Sequence, residues 1–83
     1  MPDYTITELN ISWTGLINLP DDIDKYTNLE KLYCNYNKIT RLDNLPTNLE
    51  KLYCYGNPLK YDFEPTLENI RNYNASRMLS SNT

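Results

Sequence analysis

The chain has 83 residues, 40% of them apolar and 23% charged, with a net charge of −3, two cysteines and no histidine. That length suits one small domain, which buries only roughly 60–65% of its unfolded surface, and no stretch approaches the ~18 apolar residues of a membrane span. The acidic balance, with no basic cluster, argues against nucleic acid and anionic membrane as partners, and the missing histidine removes the commonest general base and metal ligand.

Met1-Pro2-Asp3-Tyr4 has no basic region followed by an apolar run, so no signal peptide is expected. The first apolar series is Ile6-x-x-Leu9-x-Ile11-x-x-Thr14-x-Leu16, followed by Leu19. So few residues precede it that the edge of its strand is expected to be poorly protected. Pro20-Asp21-Asp22-Ile23-Asp24-Lys25-Tyr26 then reads as one helical turn, with Pro20 at its first position and Ile23 inward. Its aspartates lack the glycine and distal glutamate of a calcium loop and read as acids at a helix start. The heptapeptide Asn-Leu-Glu-Lys-Leu-Tyr-Cys follows at 28–34 and recurs unchanged at 48–54. Around Leu32 and Cys34, and again around Leu52 and Cys54, apolar and polar residues alternate, which predicts two short half-buried strands. Between them, Asp43-Asn44-Leu45-Pro46-Thr47 is too short for much helix and should be extended or polyproline-like. After Gly56-Asn57-Pro58-Leu59, the residues Leu67, Ile70 and Tyr73 place an apolar stripe on a short helix that Met78 extends. Residues 65 to 78 read as a C-terminal cap, and Ser80 to Thr83 as a frayed tail.

Superposed on Leu9, Leu32 and Leu52, the chain divides into three units, 6–28, 29–48 and 49–64, within a single domain spanning 1–83. One such strand cannot bury its apolar face alone, whereas stacked copies form a parallel sheet over a continuous core. Leu9, Ile11, Leu32, Cys34, Asn37, Leu52, Cys54 and Asn57 would form the ladder of that core. Asn37 and Asn57 would lie one above the other and bond backbone groups that the turns leave unpaired, a task Thr14 can perform only in part.

The pattern L-x-x-L-x-L-x-x-N-x-L over residues 6 to 64 resembles the leucine-rich repeat family. The short period, Leu-Pro on the returning side (Leu19-Pro20, Leu45-Pro46) and Cys at the sixth position are similar to repeats of bacterial effectors and large DNA viruses. The resemblance implies an α/β fold: a small solenoid with three short parallel strands, a mostly irregular convex side and a C-terminal capping helix. It also implies protein binding on the concave strand face.

Two cysteines invite a disulfide or a metal site. Adjacent parallel strands would place their Cα atoms about 5 Å apart, but with Cβ vectors running side by side rather than facing. Two thiols without histidine make a poor zinc site. Buried free thiols are expected instead, and they fit an intracellular, cytoplasmic protein. Asn10-Ile11-Ser12 and Asn74-Ala75-Ser76 match the glycosylation sequon, and without a signal peptide both read as chance matches. The outward strand positions carry more information. Lys31, Tyr33, Asn35, Lys51, Tyr53 and Tyr55, with Trp13 and Tyr36 at the strand ends, form a candidate protein-binding face with Glu8 at its rim. Tyr and Trp give large contact area at low entropy cost. The same tyrosines also suit strands and stabilise one another across them. The expected function is a non-enzymatic interaction module, with no catalytic residue, metal or cofactor, that binds a protein through this face. The alternative is a structural subunit that self-associates through the N-terminal edge or sits in a larger assembly such as a viral particle.

Overall fold

In the computed structural model each alternating segment condenses into a three-residue strand: β1 (Glu8–Asn10), β2 (Lys31–Tyr33) and β3 (Lys51–Tyr53). The structure describes residues 2–81, with side chains as far as residue 76. The strands pair in parallel in the order β1-β2-β3, an open sheet followed by the helix α1 (Leu67–Ser81). Leu9, Leu32 and Leu52 stand opposite one another across the sheet, so the register is the one on which the sequence segments superpose. A slip of one residue would turn these leucines to the outer face, and this fixes the pairing.

Parallel pairing also runs beyond the strands. Ile11 N–H donates to Tyr33 O at 2.8 Å, and Cys34 N–H to Tyr53 O at the same distance. Asparagine side chains then close the turns. Asn37 Oδ1 accepts from the backbone N–H of Thr14 at 3.0 Å and of Leu16 at 3.1 Å, while its amide donates to Ile11 O and Cys34 O. One segment later, Asn57 Oδ1 accepts from Asn37 and Ile39, and its amide donates to Cys34 O and Cys54 O. Thr14 supplies only a hydroxyl to Ile11 O, 2.7 Å away. A planar amide gives two donors and an acceptor in one rigid group, which is why it can tie two successive turns where a hydroxyl ties one.

The core is deepest at the middle segment. Leu29, Leu32, Cys34, Ile39 and Leu42 are fully buried, whereas Leu9, Ile11, Leu52 and Asn57 at the two ends are only half-buried. Cys54 is buried as well.

Several expectations need correction. The helical turn after β1 is a 3-10 turn at Ile23–Lys25, so Pro20 is not its first residue. Pro20 instead offers the carbonyl that accepts from Ile23 N–H, and Ile23 is buried as expected. The segment 43–47 is not uniformly extended, because Asn44 sits in the left-handed region at φ 58°. The C-terminal helix begins at Leu67 rather than 65. Of its predicted stripe, Ile70 is fully buried and Leu67 half-buried, but Tyr73 turns outward against Tyr61 and Phe63. Arg71 and Asn74 take the inner places. Arg71 donates to Pro46 O at 2.8 Å and Thr47 O at 3.1 Å, and Asn74 donates to Leu42 O at 3.0 Å. Helix continues through Ser80 and Ser81, so the expected tail is shorter. Its last two residues and the side chain of Met78 lie outside the described residues.

The N-terminal end is closed in part, although the outer edge of β1 pairs with no strand among the described residues. Tyr4 packs edge-on against Tyr26, ring centroids 4.9 Å apart, and its hydroxyl donates to Asp22 Oδ2 at 2.7 Å. One of the acids of the 20–26 segment is thereby engaged in a structural bond.

Candidate functional site

The outward positions of the strands carry Glu8 and Asn10 on β1, Lys31 and Tyr33 on β2, and Lys51 and Tyr53 on β3. Register alone brings Tyr33 and Tyr53 together. Their rings stack at 4.7 Å with 6° between planes. Such a pair contributes about 0.5–1.5 kcal/mol beyond its buried area, and each ring covers one face of the other. Lys31 approaches Glu8 at 3.9 Å on this surface, and both groups are well exposed. A pair of that kind contributes little.

Asn35 behaves differently from a contact residue. Its Oδ1 accepts the backbone N–H of Tyr55 at 2.7 Å. One segment earlier, Ser12 Oγ accepts from Asn35 N–H at 3.0 Å. In the first segment, Asn10 Oδ1 performs the same service for Ser12 N–H, within its own segment. This second polar ladder holds the ends of the strands together, and it leaves the Asn35 side chain half-buried.

Just past the strands lies a feature that periodicity could not reveal. Trp13 and Tyr36 both adopt left-handed backbone, at φ 59° and 56°, and Gly56 holds the corresponding place in the third segment at φ 70°. For bulky side chains this conformation is uncommon and costs about 1–2 kcal/mol each. The two rings stack on each other at 4.4 Å and 16°. The far side of Tyr36 rests on Gly56, where an added Cβ would run into its ring. Tyr36 is thus held between an indole and a glycine, while Trp13 stays 74% exposed. Tyr55, beside this row, is 69% exposed. The signal that could have found the turn was Gly56 itself, since a glycine aligned with Trp13 and Tyr36 marks a position of positive φ.

The candidate face therefore divides. Trp13, Tyr36 and Tyr55 are exposed aromatic groups, Tyr33 and Tyr53 form a mutually stacked half-buried pair, Lys31 and Lys51 supply charge, and Asn35 is part of the frame.

The two thiols lie on the opposite, inner side. Burial, with a smaller contribution from Cys54, pushes the Cys34 thiol up to about 12, and burial also raises that of Cys54. Both are therefore protonated near neutrality and weak as nucleophiles. The Cys54 Sγ lies 3.8 Å from Pro65 O. Of the two sequon asparagines, Asn10 is exposed and bonded to Ser12, and Asn74 is half-buried against Leu42. Among the described residues no helix is long and apolar enough to cross a membrane.

Comparison with known proteins finds no matching family model, curated protein or solved structure.

Proposed function

We propose that the chain is a small leucine-rich-repeat module, intracellular and without catalytic activity, that binds another protein through its aromatic strand face. The repeat reading rests on the twice-written heptapeptide, on the shared register of Leu9, Leu32 and Leu52, and on the asparagine ladder that ties each turn to the next. Two buried free thiols support a reducing compartment. Trp13 and Tyr55 are the anchors, Tyr36 props Trp13 from behind, and Lys31, Lys51 and Glu8 set the charge at the rim. Three short strands make a small face, which suits a weak or transient contact.

The observation that carries the binding reading is the pair of left-handed aromatic residues. Glycine fills the same turn in the third segment without strain. Placing Trp13 and Tyr36 there instead spends backbone energy to hold two large rings outside the core. Strain of this sort concentrates at functional positions.

The test is the Trp13→Gly/Tyr36→Gly double variant. Relief of strain at two positions is nearly offset by the lost ring stacking together with the greater freedom that two glycines give the unfolded chain, so its stability should fall within about 1 kcal/mol of the parent. Affinity capture from the producing cells, followed by reconstitution with the purified partner, should show binding by the parent and none by the variant. Binding unchanged in the folded variant would overturn the reading, as would a loss of several kcal/mol of stability, which would make the rings structural.

A further inference from the structure

The core is incomplete at both ends, and the two ends match. Leu9 and Ile11 are half-buried at one end, and Leu52 and Leu59 at the other, whereas Leu32 and Ile39 between them are fully buried. The outer edges of β1 and β3 pair with no strand among the described residues. Alternation shows which backbone groups lie there. Ile11 N–H faces β2, because it bonds Tyr33 O, so Asn10 N–H points the other way. Lys51 N–H likewise faces β2 through Glu30 O, so Leu52 N–H points outward from β3. Beside that outer edge is a pocket of about 570 Å³, lined by Leu52, Cys54, Leu59, Phe63 and Leu67 among others.

Charge indicates what this edge receives. Lys31 and Lys51 stand directly opposite each other on β2 and β3, an unfavourable pairing. Lys31 has Glu8 on its other side at 3.9 Å, whereas Lys51 forms no ion pair among the described residues. The strand that complements β3 thus carries an acid opposite Lys51 and an apolar residue opposite Leu52. The chain contains such a strand with its own edge open: β1, Glu8-Leu9-Asn10.

We propose that the partner at the β3 edge is β1 of a second copy, added in parallel with Glu8 beside Lys51 and Leu9 beside Leu52. The contact is head-to-tail, so it leaves one β1 edge and one β3 edge free and can propagate. The aromatic face stays uncovered, so this proposal and the face-binding one stand or fall separately.

Sedimentation equilibrium over a concentration series tests it. The mass of the parent should rise with concentration without levelling at the dimer, and rise less in high salt. Glu8→Lys and Lys51→Glu, both at exposed positions, should each weaken association roughly tenfold or more by placing like charges together. Mixing the two variants should restore it, because Lys at 8 then meets Glu at 51. A folded Asn10→Pro variant offers β3 but no β1 edge and should shorten the assemblies as a chain terminator. A parent that stays monomeric would overturn the proposal. So would single variants that associate like the parent, or a mixture no better than its components.

Discussion

Asn37 shows how much of this fold rests on one side chain. Its amide spans two turns, and its removal would strand the N–H groups of Thr14 and Leu16 and take one donor each from the carbonyls of Ile11 and Cys34, which keep the Thr14 hydroxyl and the Asn57 amide. Asn57 makes the equivalent bonds one step on, but it is half-buried, so water can replace part of what it supplies. Asn37→Ala is therefore expected to cost about 3 kcal/mol and Asn57→Ala about half of that, read from urea-unfolding midpoints at unchanged m-value. Asn37→Asp keeps the acceptor and loses the donors, and should fall between parent and Asn37→Ala. The position of both amides was legible from spacing alone, since a polar residue recurring in an apolar period needs a buried task. The left-handed turn beside them was not. Trp13 and Tyr36 give no local signal for positive φ, and only their alignment with Gly56 carries that information.

Among the elements, the strands were the more legible and the helix the less. A period of two with identical Lys-Leu-Tyr tripeptides leaves one register that keeps the leucines inward, and β2 and β3 take it. For α1 the apolar spacing located the helix and its buried Ile70 but put Tyr73 on the inner face, where Arg71 and Asn74 reach instead. The reason lies in what the helix meets. Beside the buried Ile70, the helix meets carbonyl groups of the segment 42–47, and a guanidinium and an amide can donate to them where a ring cannot. Tyr73 instead joins Tyr61 and Phe63 at the margin. The shift of the 3-10 turn past Pro20 has a similar origin, because Pro20 is needed as an acceptor at the loop and Ile23 as a core residue. It follows that Arg71→Leu, which would perfect an apolar stripe, should destabilise the protein by about 1–2 kcal/mol, since it takes the guanidinium from the Thr47 carbonyl and leaves the Pro46 carbonyl with Leu49 N–H alone. Thermal melts of Arg71→Leu and Arg71→Lys decide this. A stabilised Arg71→Leu would mean that apolar packing governs how the helix docks.

For the molecule as a whole, cohesion should fall from the middle segment toward the ends. Leu32 is enclosed by neighbours on both sides, while Leu9 and Leu52 each lack one. The cost of truncating a leucine follows the contacts and transfer energy it loses. Leu32→Ala is expected to cost about 4 kcal/mol, and Leu9→Ala and Leu52→Ala about 2 kcal/mol each. In a chain of this size unfolding should be a single cooperative transition, so the three values are comparable. Chemical denaturation of the dilute protein, where it is monomeric, measures them. The same series at high concentration then adds a second reading. If ends meet in solution, folding is linked to association and the parent gains stability with concentration. Leu9→Ala and Leu52→Ala should lose that gain, while Leu32→Ala should keep it. A gain lost equally by all three would mean that association tracks overall stability rather than the two open ends of the core. A gain kept by the end variants would place the contact elsewhere on the surface.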